Sequence, residues 1–200
     1  MRRSIYFLLL VVIFSMVADD LPLTGKSVVF VIAPEFFRDE ELIVPSSRLA
    51  DLGADIQIAS TTLEEVEGMM GMIAKPELLI KDIKQADFDA IVVVGGVGAE
   101  KLWDNNDLHK VLKDFDKADK LIGAICLAPV VVARAGLLDD QKATSFPSAK
   151  DEMTKAKVQF EEKSVVISGN IVTADGPESV EQFTKTLSNF FIPATTKAHD

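Results

Sequence analysis

The chain has 200 residues, of which 48% are hydrophobic, and it carries a formal net charge of −10. A chain of this length folds as one domain with a core large enough to need neither disulfides nor a structural metal. Its acidic balance repels phosphate backbones, which argues against nucleic acid as a partner.

The first eighteen residues differ in composition from the rest. Two arginines precede an apolar run from Ile5 to about Val17, and Ala18 ends that run. A basic start, an apolar stretch and a small residue are typical of a secretory signal peptide, and the stretch is short for a membrane span of about 20 residues. We expect residues 1–18 to be a cleaved signal or a retained N-terminal anchor. Either one predicts a secreted or extracytoplasmic protein that contacts membrane only through an uncleaved segment.

Strands and helices alternate between residues 26 and 192, after a linker at 19–25 and before a C-terminal tail at 193–200. Continuous apolar runs rich in β-branched residues predict strands buried on both faces. The predicted strands are 27–32, 55–59, 91–94, 121–125, 164–168 and 171–174. Helices are predicted at 41–52, around 108–115, from 126 to Gly136 and at 180–190. Pro45 fits the first helix if it lies in the first turn, and glycines within 61–80 predict a small hairpin.

This alternation predicts an α/β fold with a mostly parallel sheet and helices on both faces. Functional sites in such sheets lie at the carboxyl ends of the strands. Three segments follow predicted strand ends, namely Pro34–Glu41, Gly95–Gly98 and Cys126–Pro129. We expect these segments to meet.

Cys126 is the only cysteine, and it lies where a predicted strand turns directly into a helix. This arrangement is typical of a nucleophile elbow. The N–H groups and partial positive charge of a helix start lower the pKa of a thiol, and the same N–H groups can bind an oxyanion. Position alone equally allows a buried cysteine that acts as a small hydrophobic residue.

Two further features accompany this cysteine. Gly95 and Gly96 follow a buried strand and allow close approach of the backbone to a ligand, although a tight turn without a ligand role is the alternative. Glu40 and Glu41 open the first helix, where a buried carboxyl of raised pKa can donate a hydrogen bond to a thiolate. For one of the two glutamates we expect only a favourable interaction with the helix dipole.

The two histidines, His109 and His199, lie far apart in the sequence. We expect His109 to be a solvated surface residue beside an apolar helix stripe. No ligand-type residues have the spacing of a metal site, so we expect neither a metal nor a cofactor.

Together these residues resemble the ThiJ/PfpI family, which includes the Parkinsonism-associated deglycase and intracellular protease I. The resemblance runs from about residue 26 to residue 191. Its pieces are Glu41-Leu42-Ile43-Val44-Pro45, Val94-Gly95-Gly96, Ala124-Ile125-Cys126-Leu127-Ala128-Pro129, Ala135-Gly136-Leu137-Leu138 and Lys150-Asp151-Glu152-Met153. Each piece is weak alone, but their order and spacing are specific.

The resemblance implies a flavodoxin-like, class I glutamine amidotransferase-like fold and a homodimer. It implies that Cys126 is the reactive cysteine and that the family's glutamate is Glu41 rather than Glu40. The backbone N–H groups of Gly96 and Leu127 would then line an oxyanion site.

Two departures from the family pattern bear on function. Protease-like members have a histidine directly after the cysteine, where this chain has Leu127, so a peptidase or amidase is the weakest interpretation. Deglycase-like members have a histidine before the proline of a threonine-rich segment, where this chain has Phe146. We therefore expect either a glyoxalase- or deglycase-like enzyme acting on small reactive carbonyls, or an oxidant sensor or binding protein in which Cys126 becomes a sulfinate.

Overall fold

The computed structural model describes residues 21–192. The predicted signal or anchor at 1–18, the predicted tail at 193–200 and His199 lie outside the described residues. Among residues 21–192, no helix has both the length and the apolar character needed to cross a bilayer.

The centre of the molecule is a seven-stranded sheet in the order β10-β11-β7-β6-β1-β2-β5. Its strands are β1 (Ser27–Val31), β2 (Asp55–Ser60), β5 (Leu78–Leu79), β6 (Ala90–Val93), β7 (Leu121–Ile125), β10 (Val165–Ser168) and β11 (Ile171–Ala174). All neighbours pair in parallel except β10, which is antiparallel to β11. The predicted mostly parallel α/β sheet is confirmed, and its inner strands β6, β7 and β11 are fully buried as their apolar runs indicate.

Two short strand pairs lie outside this sheet. The strands are β3 (Val66–Glu67), β4 (Ile73–Ala74), β8 (Lys142–Ala143) and β9 (Gln159–Phe160). β3 and β4 pair antiparallel and form the hairpin predicted within 61–80, whereas β8 and β9 pair in parallel. The pair β8–β9 and the edge strand β5 were not predicted, because two-residue strands leave no periodic signal.

Five helices pack around the sheet within the described residues. They are α1 (Asp39–Asp51), α2 (Asn106–Lys117), α3 (Pro129–Arg134), α4 (Lys150–Lys155) and α5 (Val180–Phe191). α1 and α5 contact each other, and α2, α3 and α4 form a second connected group. The core side chains of α5 lie over Gly123 in β7, where a Cβ would come within 3.0 Å of Leu187 and 3.1 Å of Phe183.

The first helix corrects one expectation. It begins at Asp39, two residues earlier than predicted, so Pro45 lies in the second turn and not in the first. Because proline has no N–H, the carbonyl of Glu41 cannot accept the usual helical hydrogen bond from position 45. The start of α1 therefore tolerates a local irregularity beside the candidate site.

Two other regions are more tightly packed than a reading of the sequence suggests. In the described part of the 19–25 segment, Leu23 is fully buried and its N–H donates to the Leu52 carbonyl at 2.8 Å. His109 is half-buried and its Nε2 lies 2.8 Å from the Trp103 carbonyl oxygen. The expectation of a solvated surface histidine therefore holds only in part, because the imidazole lies against the turn that precedes α2.

Candidate functional site

Cys126 lies at a sharp turn between β7 and α3. Its φ of 65° is in the left-handed region, which costs a residue other than glycine about 1–2 kcal/mol. Two hydrogen bonds hold this conformation: the Cys126 N–H donates to the Ala174 carbonyl at 2.9 Å, and the Phe146 N–H donates to the Cys126 carbonyl at 2.8 Å. The side chain is 7% exposed. The backbone thus has the geometry of the predicted nucleophile elbow.

Glu41 contacts this cysteine from the start of α1. It is completely buried, and its Oε2 accepts the Gly95 N–H at 3.0 Å. The carboxyl also lies within hydrogen-bonding range of the Cys126 thiol. Its other oxygen, Oε1, is buried with no hydrogen-bond partner. The carboxyl is therefore held by one oxygen and has the other available to a proton of the thiol or of a bound ligand.

The two expected backbone donors also lie at the sulfur. The N–H groups of Gly96 and Leu127 donate hydrogen bonds to Cys126 and lower the pKa of its thiol. Gly96 has a φ of 94°, which favours glycine. A Cβ at Gly96 would lie 2.5 Å from the Arg38 nitrogen and 2.5 Å from the Phe36 oxygen. The structure thus brings together all three predicted segments.

The helix contributes less to the thiol than expected. α3 has only six residues, so its macrodipole is weak. The Ala128 N–H already donates to the Ile125 carbonyl at 3.0 Å, and Pro129 has no N–H. Of the first three residues after Cys126, only Leu127 therefore offers a donor to the sulfur.

The thiol pKa is raised, which corrects the expectation of a lowered value. Burial, reinforced by the nearby Glu41 carboxylate, raises the pKa of Cys126 to about 12. Burial also raises the pKa of Glu41 to about 7, against the opposing hydrogen bonds from Cys126 and Gly95. Burial raises the thiol pKa by more than the two N–H donors lower it. The sequence shows that Cys126 lies between a strand and a helix, but it does not show how deeply the thiol is buried.

The two glutamates at the start of α1 have different surroundings. Glu40 forms an ion pair with Arg38 at 2.9 Å and is partly solvated, whereas Glu41 turns inward to the cysteine. Arg38 is a site residue that sequence analysis missed. Its N–H donates to the Gly95 carbonyl at 3.1 Å, and its charge lowers the pKa of Glu41. The sequence offered one indication of this role, because Arg38 lies only three residues before Glu41.

Phe146 lies beside the cysteine at the position where deglycase-like proteins have a histidine. Its N–H binds the Cys126 carbonyl, its ring is 40% exposed, and a Cβ on Gly176 would come within 3.1 Å of that ring. His109, the one histidine among residues 21–192, binds the Trp103 carbonyl instead. Within the same described range, no cluster of three or more histidine, cysteine, aspartate or glutamate side chains is placed to hold a metal ion.

Several known proteins are similar in sequence to this chain. The sequence model of the DJ-1/PfpI family matches residues 26–189. An uncharacterized protein of Methanocaldococcus jannaschii is 43% identical over 80% of this chain and 79% of its own length. A glutathione-independent glyoxalase of Caenorhabditis elegans is 32% identical over 79% of this chain and 84% of its own. A deglycase of Pyrococcus horikoshii is 33% identical over 75% of this chain and 90% of its own.

A solved structure supports the same relationship. The crystal structure of a ThiJ/PfpI domain protein from Brachyspira murdochii superposes with a TM-score of 0.79 at 28% identity. The superposition covers 82% of this chain and 96% of that one.

Proposed function

Because the chain belongs to the DJ-1/PfpI family, we propose that it is a cofactor-independent enzyme that converts small reactive carbonyl compounds, as a glyoxalase or deglycase does. The observation that supports this function best is the buried Glu41 carboxyl facing the Cys126 thiol, with the Gly96 and Leu127 N–H groups at the same sulfur. These groups supply a nucleophile, a base and two donors for a developing oxyanion.

The proposed reaction begins with addition of the Cys126 sulfur to the aldehyde carbon of a 2-oxoaldehyde. Glu41 takes the thiol proton as the carbon–sulfur bond forms. The aldehyde oxygen gains negative charge, is stabilised by the Gly96 and Leu127 N–H groups, and then receives that proton. The product is a hemithioacetal.

The same carboxylate completes the conversion. Glu41 removes the hydrogen of the hemithioacetal carbon as a proton, which gives an enediolate. Glu41 then delivers that proton to the neighbouring carbon, while the hydroxyl proton of the first carbon passes to the alkoxide oxygen of the second. This yields a thioester of a 2-hydroxy acid. Water then attacks the thioester, breaks its carbon–sulfur bond and regenerates the Cys126 thiol. The sum is a 2-oxoaldehyde plus water giving a 2-hydroxy acid, with no external oxidant or reductant.

The raised pKa values make a definite prediction about reactivity. The Glu41–Cys126 pair holds two protons below about pH 7 and one proton between about pH 7 and about 12. Within the singly protonated pair, a fixed minority has the proton on Glu41 and a thiolate on Cys126. Reactivity should therefore rise with a midpoint near pH 7, although the pKa of the thiol itself is raised to about 12.

The test is the rate of Cys126 alkylation by iodoacetamide between pH 5 and 10, alongside turnover of methylglyoxal. Wild type should show a midpoint near pH 7 in both measurements. Glu41→Gln should lose that midpoint, and Cys126→Ser should lose both alkylation and turnover. Glu40→Gln is the matched control and should keep the midpoint, moved slightly below that of wild type because the Glu40 charge contributes to the raised pKa of Glu41. A wild-type midpoint at the free-thiol value of about 8.5 would contradict proton sharing.

A second candidate function is oxidant sensing. Leu127 and Phe146 stand where relatives of this family type have histidines, so the site lacks a second base that would assist hydrolysis of a thioester. One peroxide would convert the thiolate to a sulfenate and release water, and a second would convert it to a sulfinate with the same by-product. Formation of a stable sulfinate at low peroxide, without methylglyoxal turnover, would favour sensing. Hydrolysis of a peptide by wild type, abolished in Cys126→Ser, would instead support a peptidase function.

The location and assembly of the protein are separate proposals. We propose that it is extracytoplasmic, on the strength of the composition of residues 1–18, and that it is a homodimer, on the strength of its family. Mass spectrometry of the mature N-terminus tests the location, since a cleaved signal would leave a chain that begins after Ala18. Light scattering of the purified protein tests whether it is a dimer.

A further inference from the structure

Trp103 forms a hydrogen bond with the residue that follows the cysteine. Its indole Nε1 donates to the Leu127 carbonyl at 2.8 Å. In a regular helix the Val131 N–H would donate to the Leu127 carbonyl, but here it donates to the Ala128 carbonyl at 3.0 Å. The indole N–H thus takes the place of the Val131 N–H as a donor to the Leu127 carbonyl, just before α3.

The same short segment also carries the other donor of the site. Gly96, whose N–H reaches the Cys126 sulfur, directly precedes the 3₁₀ turn Val97–Leu102, and Trp103 directly follows that turn. At one end of this segment, the Gly96 N–H donates to the sulfur. At the other end, the Trp103 indole binds the carbonyl of Leu127, the residue whose N–H is the second donor to the sulfur.

The indole is itself fixed from the outside. The Arg134 guanidinium lies over the Trp103 ring, 5.1 Å from its centre. Arg134 donates to both oxygens of Asp104 at 2.7 Å and to Glu152 at 2.6 Å. His109 contacts the Trp103 carbonyl at 2.8 Å. Arg134 therefore covers the ring while Asp104 and Glu152 hold that arginine, and His109 holds the backbone of the same tryptophan.

We infer that Trp103 is a positioning residue that sets the spacing between the Gly96 and Leu127 N–H groups around the Cys126 sulfur. This inference rests on the proposed role of these two donors. It assigns to the Trp103 indole N–H, and not to the exposed side chains of the 97–102 turn, the role of keeping both donors directed at the sulfur. Loss of the indole N–H should then reduce the fraction of Cys126 that is thiolate in the singly protonated pair. The pH at which the pair loses its first proton should not change.

The test is iodoacetamide alkylation of the full chain across pH, in Trp103→Phe and in wild type. Phenylalanine keeps an aromatic ring but has no N–H. We expect the rate above pH 8 to fall about tenfold, because misaligned donors stabilise the thiolate less, while the midpoint near pH 7 stays in place. Lys101→Ala lies in the same 3₁₀ turn and removes only an exposed ion pair with Glu35, so it should leave both rate and midpoint unchanged.

A merely structural role for Trp103 predicts the opposite change. A loosened site would expose the thiol to water, so alkylation would become faster and its midpoint would move toward about 8.5. That result, or an unchanged rate, would overturn the inference. Should Trp103→Phe fail to fold, Arg134→Gln removes the cation over the ring together with its ion pairs to Asp104 and Glu152, leaves the indole N–H in place, and should lower the rate about threefold. Alkylation requires no turnover of a carbonyl substrate. The role of Trp103 can therefore be tested even if the proposed enzymatic function is wrong.

Discussion

At the scale of single residues, Gly95 determines whether the glutamate and the cysteine can meet. A Cβ at this position would lie 2.5 Å from Glu41 Oε2, 2.6 Å from the Cys126 Cβ and 2.6 Å from the Ile125 carbonyl oxygen. The Gly95 N–H also holds Glu41 Oε2 at 3.0 Å. The absence of a side chain is thus what allows the carboxyl and the sulfur to share one buried space.

We therefore predict that Gly95→Ala separates Glu41 from Cys126. The added methyl group should lower the free energy of unfolding by about 1–3 kcal/mol, as overpacking does, and abolish the midpoint near pH 7 in alkylation. Urea unfolding and the alkylation profile measure the two effects. Gly169→Ala is the control for the alkylation profile, since a Cβ at Gly169 meets nothing within 4 Å and this turn is remote from the site. Its φ of 59° costs an alanine about 1–2 kcal/mol, so this variant is also destabilised but should keep the midpoint near pH 7. A wild-type profile in Gly95→Ala would contradict the prediction.

The residues of the candidate site differ in how far the sequence reveals them. Cys126, Glu41, Gly96 and Leu127 belong to segments of recognisable order and spacing, and the structure places all four together. Trp103 belongs to no such segment, because its bond to Leu127 depends on how a 3₁₀ turn packs against α3. The direction of the thiol pKa shift was predicted wrongly, since it depends on burial by the whole fold rather than on local position.

At the scale of elements, the β3–β4 hairpin is fastened to the start of α1 by one carboxylate. Asp39 is 8% exposed and accepts the Met70 N–H at 2.9 Å and the Met72 N–H at 2.8 Å. The hairpin in turn binds the loop before α1, because the Phe36 N–H donates to the Glu67 carbonyl at 2.8 Å. Asp39 therefore couples the hairpin to the loop that leads into Glu41.

Asp39→Asn should release the tip of this hairpin. An asparagine side chain has one acceptor oxygen where the aspartate has two, and it turns an NH₂ group toward the second backbone N–H. We expect a loss of about 1–3 kcal/mol in unfolding free energy and faster cleavage at residues 68–71 in limited proteolysis with thermolysin. Asp51→Asn, at the exposed other end of α1, should be cleaved like wild type. Equal cleavage of Asp39→Asn and wild type would show that the hairpin does not depend on this carboxylate.

Elements differ in predictability for physical reasons. The buried strands of the sheet are long apolar runs, and their predicted positions agree with the structure to within about two residues. The start of α1 was misplaced because Asp39 and Glu40 carry no apolar periodicity, although they form the first turn. The strands β5, β8 and β9 exist only because neighbouring segments offer backbone partners, which a local pattern does not contain.

At the scale of the whole molecule, the parallel sheet explains why distant segments form one site. β1, β6 and β7 are neighbours, and the segments that follow them carry Glu41, Gly96 and Cys126 respectively. Because parallel strands end at the same edge, side chains far apart in the chain converge there. Convergence in a buried position also has a thermodynamic consequence, since Glu41 must ionise without solvent.

The last prediction concerns how stability depends on pH. The pKa of Glu41 is 4.5 when unperturbed and about 7 in the folded protein, so the folded state binds the proton more tightly. Its contribution to stability is complete below about pH 4.5 and is lost as pH rises to about 7, by about 3 kcal/mol. Cys126 has a raised pKa too, but from an unperturbed 9.0, so its effect begins only above that pH.

Urea unfolding of wild type and Glu41→Gln between pH 4 and 8 isolates this contribution from all other titrating groups. The difference in unfolding free energy between the two proteins should move by about 3 kcal/mol in favour of the variant as pH rises from 4.5 to 7. It should then stay constant to pH 8. A constant difference between wild type and Glu41→Gln would mean that Glu41 ionises at its ordinary pKa, and the proton-sharing pair would lose its basis.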